Sequence, residues 1–297
     1  MAKARVIIKR RKAVRNIRKI TKVMQNIATV RYQKAYKRAL GTRPYVQKIS
    51  EMVSSVMGSI GTTDGGPDHP LMREPAAGKP VAVLMLTSNR GLCGGYNGNI
   101  TRLATATLRE MKSEGIANEL HVSGKKGIAF VKFMKFPTVQ TYNTLGDAPK
   151  YVEIEPLANQ FIQDYIDGKI SGLKVVYMRF LSAGQQKPVV ASLLPLTNLA
   201  EPVAAKTAPA TTESYEFSPG PAELLAELIP TTVRTMLFQA FIESAVSEQI
   251  FRMVAMKAAT DAAEKMGKKL QGDYNRARQS QITSELSELM GGVEALK

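Results

Sequence analysis

Apolar residues recur at alternating steps of three and four at both ends of this chain, and lose that spacing between them. Ala13, Ile17, Ile20, Met24 and Ile27 step by 4, 3, 4 and 3, the seam of a helix packed on another helix. The row drifts through Ala28, Tyr32, Ala35 and Ala39 and continues past Arg43-Pro44 to near Met57, a predicted helix of about 55 residues and about 80 Å. Toward the other end, Ala245, Gln249, Arg252, Met256, Ala259, Ala263, Met266 and Leu270 repeat the pattern. A polar interval covers Gly272 to Gln281, and the stripe resumes at Ile282, Leu286, Leu289 and Val293. Alanines at 255–263 let helix axes approach closely. A short helix from Pro221 is expected to end at Pro230, which suits the first turn of the next. Two unpartnered stripes in one chain predict that the ends pair as a long antiparallel two-helix coiled coil.

The middle reads differently. Val81 to Leu86 is a short apolar run of strand type, followed by the Gly-rich turn TSNRGLCGGYNGN and a helix near 97–114. Strands at 119–122, 137–142, 173–180 and 189–194 alternate with helices at 127–134 and 153–167, the order of a small α/β (Rossmann-like) domain. The predicted division is an N-terminal coiled-coil helix at 1–58, a Gly- and Pro-rich linker at 59–80, the α/β domain at 81–200, a second linker at 201–220 and a C-terminal coiled-coil helix at 221–297.

Charge is distributed as unevenly as the periodicity. The chain carries 41 Lys plus Arg against 25 Asp plus Glu, a net +16, and 16 of the basic residues precede Glu51, the first acid. A basic block of this kind suits a nucleic-acid or membrane-surface tail, so a basic coiled-coil nucleic-acid-binding protein is one alternative. Against it, the arm lacks aromatic interleaving for base stacking beyond a few tyrosines, Tyr32 and Tyr36 among them. An enzyme using the α/β domain as a cofactor site is another. The loop Asn89-Arg90-Gly91-Leu92-Cys93-Gly94-Gly95 lies where phosphate cradles occur, yet it matches neither G-x-G-x-x-G nor G-x-x-x-x-G-K-[ST]. Its glycines read as a tight turn with close backbone approach. Cys93 is the single cysteine and the two histidines are His69 and His121, which excludes an internal disulfide and a Cys-rich metal site. All three read as structural. No Ser/His/Asp set or carboxylate pair stands out, so no catalytic, cofactor-binding or metal residue is assigned. No apolar run is long enough to span a membrane, and no secretory leader pattern follows the basic start.

Four separated segments, ITKVM at 20–24, TSNRGLCGGYN at 87–97, SEQIFRMVAMKAATD at 247–261 and NRARQSQITSEL at 275–286, together resemble the gamma subunits of F-type ATP synthases, in order and over the whole chain. The resemblance implies a central stalk, or rotor shaft, turning inside a ring of alternating alpha and beta subunits. Proton flow would thereby be coupled to ATP synthesis or hydrolysis at beta-subunit sites. Nucleotide and magnesium would be held by alpha and beta, with no cofactor on this chain. Further implied partners are the epsilon subunit and the membrane c-subunit ring, with no nucleic acid and no transmembrane segment of its own. Met24, Arg252, Arg278, Gln279 and Thr283 are the implied coupling contacts to beta subunits, with Met24 opposite Arg252. The basic arm would face acidic collar residues, and the tip from Val293 to Lys297 would sit in an apolar sleeve. The resemblance begins almost at Met1, which implies no presequence and a bacterial origin, with the complex on the cytoplasmic side of the inner membrane. The chain departs from the family pattern at Asn89, where Asp is common, at the bulky Ile250 and Phe251, and at Ala262, where Asn is frequent.

Overall fold

The computed structural model describes residues 2–60, 69–73, 78–143, 145–196 and 220–294. Most of the two predicted linkers and the last three residues of the C-terminal tip lie outside them. Ten elements follow in order: α1 Ala2–Ile60, β1 Val81–Leu86, α2 Tyr96–Ser113, β2 Asn118–Ser123, α3 Lys125–Met134, β3 Gln140–Tyr142, α4 Tyr151–Ile166, β4 Gly172–Ser182, β5 Gln185–Leu194 and α5 Pro221–Glu294. The chain forms two compact units, Met1–Val30 with Arg252–Lys297, and Arg31–Phe251.

In the larger unit the sheet order is β3-β2-β1-β4-β5. The first four strands in that order are parallel, and β5 returns antiparallel on β4. This is the 3-2-1-4 arrangement of a dinucleotide-binding half-fold closed by a hairpin. Both faces are covered, and the strand side chains alternate between them. Ala82, Leu84, Leu86, Leu173, Val175 and Tyr177 join a core with α4, α1 residues 49–56 and α5 residues 225–241. Val83, Met85, Leu120, Val122, Val176 and Met178 join the opposite core with α2 and α3.

The sheet is anchored to α5 through an overhang. Beyond Val176, β4 has no β1 residue beside it, and α5 side chains meet its backbone instead. Phe180 N donates to Glu243 Oε2 (3.3 Å), and Ser247 Oγ donates to the Met178 carbonyl (3.2 Å). Gln239 Nε2 donates to the other oxygen of Glu243 (3.0 Å). Burial, with the Glu243 carboxylate nearby, pushes the Tyr177 phenol up to about 12.

Three local expectations shift, one of them at β3, which begins at Gln140 rather than at residue 137. Pro230 does not divide the C-terminal helices, because α5 runs unbroken through it. Leu225, Ile229, Val233 and Leu237 are all buried at four-residue spacing, and the packing of that row outweighs the single hydrogen bond a proline removes. β5 begins at Gln185 rather than Val189, since its polar first residues gain their partners from the hairpin and not from a core.

His121 on β2 is stacked on Tyr142 and edge-on to Phe161, with Nδ1 3.3 Å from the Tyr142 hydroxyl. Glu119 stands 4.0 Å from its Nε2, at the limit of pairing. Burial pushes the imidazole below its ordinary value, with Asp164 opposing. The folded state therefore favours the neutral ring, and its contribution to stability is complete above the unfolded value of about 6.5 and is lost as pH falls toward the lowered folded one. A His121→Phe variant is expected to unfold with a shallower loss of stability below pH 6.5 than the natural chain, as read from urea midpoints across pH. Parallel curves would contradict this.

Candidate functional site

The smaller unit pairs the start of α1 with the end of α5, antiparallel. Residue 21 meets 260, 18 meets 264 and 11 meets 271 and 274. The Thr21 and Thr260 hydroxyls lie 2.8 Å apart, and each is also within reach of a carbonyl one turn back, on Arg18 and Met256. Each hydroxyl has one proton, so one bond crosses and the other folds back. Arg18 pairs with Glu264 at 2.9 Å. Arg11 donates to Gln271 and lies over the Tyr274 ring, 5.4 Å from its centroid.

The predicted spacing of the N-terminal seam is present, but its phase is off by one position. The row facing α5 is Ile7, Arg11, Val14, Arg18, Thr21, Gln25 and Ala28, of which Val14, Thr21 and Ala28 are buried. Ile17, Ile20, Met24 and Ile27, the more apolar row, are left exposed, Ile20 by 57%. Hydrophobicity alone selects the wrong row, because the inner one is rich in polar side chains that bond across. The α5 seam lies closer to expectation. Arg252, Met256 and Ala263 are buried, Thr260 joins them, and Gly267 faces inward in place of Met266.

The residues singled out from sequence fall on both kinds of surface. Met24 is exposed by 37%, whereas Arg252 is buried. The register of Thr21 on Thr260 puts Arg252 level with Thr29, about one and a half turns from Met24 along the pair. Arg278, Gln279 and Thr283 are exposed on the last turns of α5. So are Ile282, Leu286, Leu289 and Met290, the last two by about two thirds or more. With the cations Arg10, Lys12, Arg15, Lys19 and Lys22 also exposed, this unit presents apolar rows set among positive charge. Contiguous exposed apolar rows mark contact surfaces.

The Gly-rich loop spends its polar groups internally. Asn97 Nδ2 donates to Ser88 Oγ (2.8 Å) and to the buried Cys93 sulfur (3.2 Å), and Asn97 Oδ1 accepts the Ser88 N–H (3.0 Å). Asn89 donates to the Leu145 carbonyl (2.8 Å) and accepts from Lys125 N (3.2 Å), so its amide is tied to two backbone groups. The local carboxylate is Asp147, which takes both Arg90 and Arg31 at 3.0 Å. At the strand ends Tyr96 donates to the Ser244 carbonyl of α5 (3.3 Å). A cavity of about 40 Å³ lined by Asn89 and Tyr96 is far below the several hundred a nucleotide occupies. The bulky Ile250 packs with Ala39, Phe180, Ile242 and Val246, and Phe251 sits edge-on to Tyr96, so both departures fill core space.

The close backbone approach expected in this loop is only partly there, since Gly94 takes a positive φ of 54°. The tight contact is elsewhere, at Gly124 and Gly127 against Thr87. Their Gly-x-x-Gly spacing at a strand-to-helix junction was the available signal.

Among the described residues no helix is long and apolar enough to cross a membrane, and no group of three metal-ligating side chains gathers. A family model described as ATP synthase matches residues 3–296. The chain is 44% identical to the ATP synthase gamma chain of Rhodopirellula baltica, with all of both chains covered. It is 37% identical to those of Leptospira biflexa and Dehalococcoides mccartyi, again over the whole of each. Among solved structures it is similar in fold to a chain of the Euglena gracilis mitochondrial ATP synthase rotor (TM-score 0.61, 17% identity, 95% and 99% of the two chains). A second match is a chain of the Euglena OSCP/F1/c-ring assembly (TM-score 0.63, 17% identity, 99% and 95%). With one family model spanning nearly its whole length and full-length relatives well above 30% identity, this chain belongs to the ATP synthase gamma-chain family.

Proposed function

We propose that this chain is the central-stalk rotor of a bacterial F-type ATP synthase, coupling proton flow to ATP synthesis or hydrolysis at sites on beta subunits. The observation that carries this reading is the inverted helix pair: the polar row of α1 faces α5 while Ile17, Ile20, Met24 and Ile27 face outward among cations. A helix pair that keeps its more apolar row outside is built to be surrounded by protein. The surrounding partners are the alpha and beta subunits, with epsilon and the membrane c-ring reached from the sheet-bearing unit. No nucleotide or magnesium is held by this chain, which has no catalytic site of its own, and the complex sits on the cytoplasmic face of the inner membrane.

The physical logic is asymmetry. One off-axis shaft cannot touch three identical beta subunits equally, so each orientation stabilises a different conformation at each site, and turning the shaft cycles them. Fixed positive charge provides contacts that bear torque without a deep apolar lock. Met24, Arg252, Arg278, Gln279 and Thr283 are the assigned coupling contacts, and the apolar end of α5 is the bearing.

Co-expression with the alpha and beta subunits of the same organism tests the reading. The expected product is an ATP-hydrolysing complex holding one copy of this chain per three alpha–beta pairs. Failure to assemble, or purification of the chain on nucleic acid instead, would remove it.

A further inference from the structure

Within the Arg31–Phe251 unit, a groove of about 430 Å³ opens between α1, the loop before α4, and α5. Its walls include Ala35, Pro149, Ile242 and Ala245, an apolar lining of the size that small-molecule sites have. Lys34 and Arg38 stand beside it, one turn apart on α1 and exposed. Asp147 on the opposite side is already shared by Arg31 and Arg90, so the local charge stays positive, and Lys34 and Arg38 have no carboxylate partner among the described residues. Gln249 also lines the groove. It is only 2% exposed, yet its Oε1 accepts no hydrogen bond. A buried acceptor left unmade is costly, and a donor supplied from the groove would remove that cost.

We propose that this groove is a binding site for a small amphipathic anion. Its apolar body lies against Ala35, Ile242 and Ala245, its anionic group between Lys34 and Arg38, and an N–H or O–H of the ligand is directed to Gln249. The site is independent of the rotary role, since it uses none of the assigned coupling residues. An occupant wedged between α1, the loop and α5 binds only when the three keep this spacing, so occupancy stiffens that junction by linkage.

The probe is 1-anilinonaphthalene-8-sulfonate, which combines aromatic rings, a sulfonate and an amine N–H, titrated by fluorescence into the full-length chain. One saturable site is expected. Its affinity should fall about tenfold in Lys34→Gln/Arg38→Gln, since two partly exposed charge contacts together carry about that much. It should fall further in high salt, and to a smaller extent in Gln249→Leu. The uncharged analogue N-phenyl-1-naphthylamine should bind at least about tenfold more weakly for the same reason. The two cations are exposed, so their removal leaves the fold intact and decides the question even if Gln249→Leu disturbs packing. Unchanged affinity in the double cation variant, equal binding of the uncharged analogue, or loss of the site in Leu286→Ser/Leu289→Ser, which would put the probe on the exposed end of α5, would each overturn the proposal.

Discussion

A Gly124→Ala variant is expected to lose about 3–5 kcal/mol of stability, far more than one methyl group ordinarily costs. Gly124 precedes α3 with φ at +96° and ψ at 138°, a region essentially closed to residues with a Cβ. A Cβ there would also stand 2.1 Å from the Thr87 carbonyl oxygen and 2.7 Å from its carbon. These are backbone atoms at the end of β1, and they cannot swing aside. Thr87 N and Oγ1 both bond the Ser123 carbonyl, at 2.9 and 2.7 Å, and Gly127 N donates to Thr87 Oγ1 at 2.9 Å. Moving one of these breaks the others. The control is Gly115→Ala, where φ is also positive at +73° but nothing lies within 4 Å of the added carbon; left-handed strain alone costs about 1–2 kcal/mol. Urea unfolding followed by tyrosine fluorescence separates the two. Equal losses would show that conformation, not contact, sets the cost at Gly124.

The strands of the sheet were legible because burial imprints itself on them. β1 is a six-residue apolar run, and the structure bounds it at the residues read from sequence, Val81 and Leu86. Where an element draws its stability from something other than apolar burial, the reading drifted. The polar start of β5 carries no apolar alternation, and Pro230 looks like a break only until the buried row of Leu225, Ile229, Val233 and Leu237 is weighed against it. The phase of the N-terminal seam is the most informative miss. Heptad spacing is plain, but two rows one residue apart both obey it, and only the structure shows that Arg11, Arg18 and Thr21 lie on the side turned to α5. Their bonds run to Gln271, Glu264 and Thr260, more than two hundred residues away, and no local pattern announces such a partner. The coupling residues were named from the family resemblance. The groove beside Lys34 and Arg38 could not have been read at all, since it is assembled from three distant segments.

The double variant Arg252→Ala/Gln279→Ala is expected to uncouple the assembled enzyme, lowering the protons pumped per ATP hydrolysed severalfold, since truncating polar contacts that assembly desolvates weakens them by about 2–5 kcal/mol. The two residues act from different positions, which makes the experiment interpretable. Arg252 is buried at the start of the smaller unit, so its removal mixes a coupling effect with a change inside the chain. Gln279 is exposed, and an exposed helix residue changed to alanine shifts the stability of its own chain by no more than about 0.5 kcal/mol. A coupling loss in Gln279→Ala alone must therefore arise from a surface that only assembly covers. Arg278 and Thr283 lie one residue before it and one turn after it on the same exposed stretch, and their single variants should act in the same direction. Proton uptake into inverted vesicles, measured beside ATP hydrolysis on the same preparation, gives the ratio directly. If the double variant pumps as many protons per ATP as the natural enzyme, these side chains are not the coupling contacts, and torque must instead pass through the outward row of Ile17, Ile20, Met24 and Ile27.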